Sequence, residues 1–273
     1  MIKIFKFCLF SVFLFCLFLR ATFSYAEESL TEGADGEESP NRYEIGIGIG
    51  VGFMNDNLNV SYNGYNLTNT NFAVNGKIDF RVNLFSKFFL LTSVNMTHDI
   101  GNATGNYGFY RIPIMFGYSF HIEKFNHLFI APLAGMEITP SDFVISNGQS
   151  AFYGLSNAFI MGAKVTYFLQ EKHKISATYY FGFGTISEDR VYVALMVDTA
   201  VRNAPYFVNN LTLEYIYQFD KKLGFKLYIS DDIRTTIGGS VAQIGPQMSI
   251  VNTSINNHLF HTLSLGCGFN AVF

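Results

Sequence analysis

The sequence predicts an all-β protein, a transmembrane antiparallel up-and-down β-barrel of about ten strands, with eight or twelve as the neighbouring solutions. Three features of the 273-residue chain carry that expectation. Apolar residues recur at every second position in successive segments between residue 43 and the last residue. The alternating segments reach roughly 10–14 residues, where strands of soluble sheets usually have about 3–10 and a bilayer-crossing strand needs ~9–11. The connections between them are alternately short and long, the asymmetry expected of a barrel threaded through a membrane.

The first strand is the clearest. From Tyr43 to Phe53 every odd position is apolar and every even position is Gly or Glu. A helix would scatter these residues around its surface, and each interior glycine would weaken it by about 1 kcal/mol, whereas a strand gathers the odd positions on one face. In 71–82, Phe72, Val74, Ile78, Phe80 and Val82 oppose Asn71, Ala73, Asn75, Lys77, Asp79 and Arg81. In 88–98, Leu90, Val94 and Met96 oppose Ser93, Asn95 and Thr97, and in 109–120 the apolar face runs from Tyr110 to Phe120. The fifth segment, near 128–138, is apolar on both faces, so alternation leaves its register open. In 156–168, Phe159, Met161, Val165 and Tyr167 oppose Ser156, Gly162, Lys164 and Thr166. In 175–185, Ile175, Tyr179, Phe181 and Phe183 oppose Ser176, Thr178, Tyr180 and Gly182. In 207–219, Leu211, Leu213, Tyr215 and Tyr217 oppose Thr212, Glu214 and Ile216. From Leu223, the set Phe225, Leu227 and Ile229 opposes Lys226, Tyr228 and Ser230, and the tenth strand runs from about 258 to Phe273.

Short connections fall near 83–87, 121–126, 170–174 and 220–222, and long ones near 54–69, 99–107, 139–154, 187–205 and 232–257. The short turns carry Lys87, Lys124, Lys172, Lys174, Lys221 and Lys222. The stretch 187–205 contains Val191 to Val197, which reads as a further strand or a hairpin extension.

Composition excludes several classes. Charged residues make up 14 % against ~25 % for an ordinary soluble domain, and aromatics reach 17 % with no Trp, so the chain is not disordered. With 18 basic and 21 acidic residues there is no positive surplus for nucleic acid.

The domain reading is a signal peptide at 1–26, an acidic flexible tail at 27–41 and a barrel at 42–273. Lys3 and Lys6 precede an apolar run from Phe7 to Leu19 that is too short to span a bilayer, and Ser24-Tyr25-Ala26 places cleavage after Ala26. Cys8 and Cys16 then leave with the signal, and Cys267 alone cannot form an internal disulfide. The tail holds six acidic residues and no basic one, while from residue 42 onward 15 acidic and 15 basic residues balance.

In the last strand Leu259, Leu263, Leu265, Cys267, Phe269, Ala271 and Phe273 share one face, and Phe273 is terminal. This resembles the C-terminal signature of Gram-negative outer-membrane barrel proteins. Tyr110-Arg111-Ile112-Pro113-Ile114-Met115-Phe116-Gly117-Tyr118 resembles a strand of small porin-like or adhesin-like barrels. The resemblance implies a protein of the outer membrane of a diderm bacterium, with outer-membrane lipids and the barrel-assembly machinery as partners. It implies that Phe269 and Phe273 belong to the assembly signal. Such a wall must close, because every backbone N–H and C=O in hydrocarbon needs an internal partner.

By alternation Glu44, Lys77, Asp79, Arg81, Arg111, Lys164, Glu214 and Lys226 line the lumen, with Glu137 a further candidate. Two readings stand: an ion-pair ladder that fills a closed interior, or a charged pore lining that sets ion preference. Gly46, Gly48, Gly50 and Gly52, with Gly266 and Gly268, form a wall almost without side chains. That wall leaves a water path or receives Arg81, Arg111 and Tyr180. The expected function is a non-enzymatic surface barrel, structural or adhesive through long loops that could meet an extracellular ligand, with a small diffusion pore as the alternative. A third reading, a rim-site hydrolase, comes from similarity to omptin proteases, whose site pairs carboxylates with an Asp-His couple. Here Asp231-Asp232 and His98-Asp99 sit near the outer rim, but the Asp-x-His spacing of that family is absent. No cofactor is expected. No metal site is expected either, since His258 and His261 point to opposite faces of their strand.

Overall fold

The computed structural model describes residues 43–60, 66–85, 87–99, 106–122, 124, 127–144, 151–170, 172–192, 197–220, 222–237, 240–244 and 250–273. The expected signal peptide and acidic tail lie outside the described residues.

Ten strands follow in chain order: β1 (Tyr43–Val60), β2 (Asn66–Phe85), β3 (Phe88–Asp99), β4 (Asn106–Tyr118), β5 (Leu128–Val144), β6 (Ala151–Gln170), β7 (His173–Tyr192), β8 (Val197–Gln218), β9 (Leu223–Ile237) and β10 (Ile250–Val272). Two short pieces prolong existing strands. Phe120–His121 continues β4 beside β5, and Ser240–Ile244 continues β9 between β8 and β10. Each strand pairs antiparallel with its sequence neighbours, and β1 pairs with β10 from Glu44↔Val272 to Val60↔Ile255. The sheet is therefore a closed ten-stranded barrel with no free edge.

The strands have 12 to 23 residues, longer than alternation alone marks out. The added length lies at the long-connection end, as at Asn55–Asn59, which pairs with Asn257–His261. There the outward positions turn polar, so the hydrophobic signal fades while the hydrogen-bond ladder continues. The same reason accounts for 187–205, where Glu188–Tyr192 pairs with Val197–Val201 as an upward extension of the β7–β8 hairpin.

The two faces separate as alternation predicts. Ile47, Ile49, Val51 and Phe53 point outward at 48–63 % exposure, whereas Gly46, Gly50 and Gly52 are buried. The fifth strand resolves the same way: Ala131, Leu133, Glu137 and Thr139 face in, and Pro132, Met136 and Ile138 face out. Rings cluster at both ends of the wall. At the short-turn end Tyr118 lies 4.7 Å from Phe88 and 4.6 Å from Phe120 between centroids, and at the other end Phe53 meets Phe72 at 6.0 Å. Inside, Phe89, Met115, Leu133, Ile160, Tyr206 and Val208 belong to an apolar core against the β3–β8 wall.

The turn after β8 is set by one carboxylate. Asp220 Oδ1 accepts from the backbone N–H of Lys222 and of Leu223, both at 2.7 Å, an Asx turn that tightens the hairpin. The donated bonds, Lys222 first, hold the Asp220 carboxyl below its usual range. A depressed carboxylate pKa contributes stability that is present above the unfolded-state pKa and disappears as pH falls through the folded one. The Lys222 and Leu223 amide signals are therefore expected to titrate with a midpoint below that of an unperturbed aspartate in an NMR series on the folded barrel. A midpoint at or above the ordinary aspartate value would refute this account of the turn.

Candidate functional site

The lumen carries two charge networks, built by inward positions of strands far apart in sequence. In the first, Glu214 of β8 receives Lys77 Nζ of β2 at 2.9 Å, with Lys226 and Lys164 at 3.8 and 3.9 Å. Ser176 Oγ also donates to Glu214, at 3.3 Å. Asp79 takes Lys226 at 2.5 Å and Lys77 at 3.3 Å. Glu44 pairs with Lys174 at 2.8 Å. Arg81 lies over the Phe89 ring, 4.3 Å from its centroid, and donates to Asn83 Oδ1 at 3.2 Å.

In the second network, Arg234 Nη2 meets Glu137 Oε1 at 2.8 Å and Arg234 Nε meets Asp232 Oδ2 at 2.7 Å. Arg111 Nη1 approaches Asp232 Oδ1 at 2.9 Å, too obliquely for a hydrogen bond. Tyr180 donates to Glu137 Oε2 at 2.8 Å, and Arg234 Nη1 donates to Thr139 Oγ1 at 2.8 Å and to the Tyr206 hydroxyl. Glu137 and Asp232 are fully buried. Buried charges survive only when paired and hydrogen-bonded, and this network satisfies both carboxylates several times over.

The glycine wall explains how the first network closes. Lys226 and Asp79 sit on β9 and β2, with β10 and β1 between them. A Cβ on Gly46 would stand 2.6 Å from Lys226 Nζ and 3.3 Å from Asp79 Oδ2, so the glycine leaves open the space in which the two side chains meet. Above them the Tyr228 ring fills the notch left by Gly48, Gly50 and Gly266. The wall thus receives Lys226 and Tyr228 from the adjacent strand. Arg81 is instead stacked on Phe89, and Arg111 and Tyr180 belong to the second network.

Between the networks lies a cavity of about 60 Å³. Glu44, Lys77, Asp79, Arg81, Arg111, Lys164, Glu214 and Lys226, the eight residues assigned to the lumen from sequence, all line it. Glu137 also faces inward. Phe269 and Phe273 are outward and more than half exposed, with the Phe273 backbone paired to Tyr43.

Among the described residues, sequence reasoning missed three lumen charges. Lys174 reads as a turn residue, yet it shares its face with Ser176 and Thr178 and is buried against Glu44. Asp232 and Arg234 lie beyond Ile229, where the apolar alternation noted for β9 ends. Carrying the parity of Lys226, Tyr228 and Ser230 two steps further would have placed both inside.

Known structures share this architecture. The outer-membrane protease OmpT from Escherichia coli superposes with a TM-score of 0.54 at 11 % identity, covering 88 % of this chain and 99 % of the protease. Only the fold is shared. Looser likenesses reach the translocator domain of the autotransporter NalP from Neisseria meningitidis (TM-score 0.43, 9 % identity, 93 % and 96 % coverage) and the COG4313 outer-membrane channel from Pseudomonas putida F1 (0.39, 11 %, 89 % and 99 %). No family model and no curated protein matches the sequence. Of the residues considered for a rim site, Asp231, Asp232 and His98 do not come together. Asp232 points inward to two arginines, whereas Asp231 points outward and its Oδ1 lies 2.6 Å from His261 Nε2. His98 pairs in register with Val74 of β2 and Gly108 of β4, away from both aspartates.

Proposed function

We propose that this chain is a non-enzymatic integral barrel of the bacterial outer membrane that passes small ions along a narrow, charge-lined lumen. The observation that carries the reading is the inversion of the barrel: among the described residues 36 large apolar side chains stand exposed on its outside while charges surround a polar cavity within. Soluble monomers rarely expose contiguous apolar patches above a few hundred Å², so an outer face of this kind calls for lipid. Closure of β1 on β10 supports the same conclusion, since a spanning sheet cannot leave an edge. Ion-pair layers across the lumen make the path narrow, as fits a ten-stranded barrel little wider than one that side chains can fill. Outer-membrane lipids and the barrel-assembly machinery are the partners this reading requires, with Phe269 and Phe273 as the assembly signal.

Single-channel recording of the folded protein in a planar bilayer tests the proposal. Small discrete steps are expected, and Lys77→Glu or Arg81→Glu should move the reversal potential toward cation preference by removing positive lining charge. Silence from a folded, heat-modifiable barrel overturns the pore. It would leave the second reading, a surface role at the outer end, which strands of up to 23 residues favour because ~9–11 suffice to cross the hydrocarbon. The long connections 61–65, 100–105, 145–150, 193–196 and 245–249 that would serve it lie outside the described residues.

A further inference from the structure

The charges around the lumen cavity do not balance. Its lining has five cations (Lys77, Arg81, Arg111, Lys164, Lys226) and three carboxylates (Glu44, Asp79, Glu214), an excess of two. The pairing leaves the same excess of two and places it. Asp79 and Glu214 are engaged by Lys77 and Lys226, and Glu44 by Lys174 from outside the lining. Arg111 and Arg234 balance Asp232 and Glu137 in the other network. Lys164 is left with a single contact at 3.9 Å to the already shared Glu214, and Arg81 with no ion pair among the described residues.

A second observation points to the same place. Arg111 is 5 % exposed, its side chain lines the cavity, and its Nε has no hydrogen-bond partner. A buried guanidinium N–H left unmatched is costly, as is buried charge without a counter-charge. A single anion in this cavity would offset part of the excess charge and, with a small turn of the guanidinium, give the Arg111 N–H an acceptor. Ser93, Asn95 and Thr178 add neutral polar groups to the lining. At about 60 Å³ the cavity holds a few water-sized bodies, each needing ~10–15 Å³ on this measure. That admits a halide or a similarly small oxyanion and excludes organic phosphates and sugars.

We infer that the lumen cavity is a binding site for one small monovalent inorganic anion, held between Arg81, Arg111 and Lys164. The site does not depend on ion flow, since a barrel that never conducts could still hold a structural anion. Its test is accordingly a binding test. The full chain, folded in detergent micelles, is melted in sodium chloride and in sodium gluconate at equal ionic strength, gluconate being too large to enter. Chloride is expected to raise the melting midpoint by about 2–4 °C over gluconate, the scale set by a ligand at several times its Kd for one site in a domain of this size. Lys164→Gln should abolish most of that difference. Equal midpoints in the two salts would overturn the inference, because screening alone would then account for every salt effect. A chloride effect undiminished in Lys164→Gln would overturn it too, as an adventitious ion only. Should that variant fail to fold, crystals of the parent grown in bromide decide: an anomalous peak inside the cavity supports the site, and a cavity without one refutes it.

Discussion

Replacing Glu137 with alanine is expected to destabilise the folded barrel by about 3–5 kcal/mol, the usual result of breaking a buried ion pair from one side. Glu137 is fully buried and accepts from Arg234 at 2.8 Å, Tyr180 at 2.8 Å and Thr139 at 3.2 Å. Its loss strands the Tyr180 hydroxyl and leaves Arg111 and Arg234 to share Asp232, so one positive charge in the interior loses its counter-charge. Glu137→Gln should cost clearly less, since an amide oxygen still accepts from Tyr180 in the same space. The chain has no Trp, so unfolding in urea is best followed by far-ultraviolet circular dichroism and by the gel shift of the folded form. If Glu137→Ala stays within about 1 kcal/mol of the parent, water reaches this level of the lumen and the network is not a dry plug.

The second large effect is expected at the seam where the barrel closes. A Cβ on Gly266 would lie 2.2 Å from Tyr228 Cζ and 2.4 Å from its hydroxyl oxygen, so Gly266→Ala should destabilise by about 1–3 kcal/mol through overpacking. The sign is informative, because alanine in a strand interior otherwise improves on glycine. Tyr228→Ala removes the obstacle, and a double-mutant cycle between the two should show a coupling of about 1 kcal/mol or more. Gly268 supplies the control. There a Cβ would meet the Ile47 carbonyl oxygen at 2.0 Å, a backbone obstacle on the neighbouring strand. Gly268→Ala should therefore gain nothing from Tyr228→Ala. Additive effects at Gly266 and Tyr228 would mean that the ring does not occupy the notch.

Much of this architecture is legible in the sequence because a barrel wall reports on itself locally. A residue's face follows from its parity along the strand, and parity needs no knowledge of the partner strand. That is why all eight lumen charges named from alternation line one cavity, and why the glycines of β1 and β10 face inward. The signal fails where its contrast fails. Beyond the apolar belt, outward positions such as Asn55 and Asn57 are no longer hydrophobic, so the ends of the strands, and with them Asp232 and Arg234, drop out of view.

The sequence by itself determined the period, the inside and outside of nearly every strand, and the charge inventory of the lumen, because each is set by neighbours two residues apart. Only the tertiary structure decided which charges meet. Lys77 finds Glu214 137 residues away and Arg234 finds Glu137 97 residues away, across a lumen whose strand order, register and closure bring them together. Pairing is a property of the closed cross-section, and no local pattern encodes it. Among the described residues, the same closure leaves Arg81 and Lys164 without a carboxylate of their own, which a count of charges along the chain could not reveal.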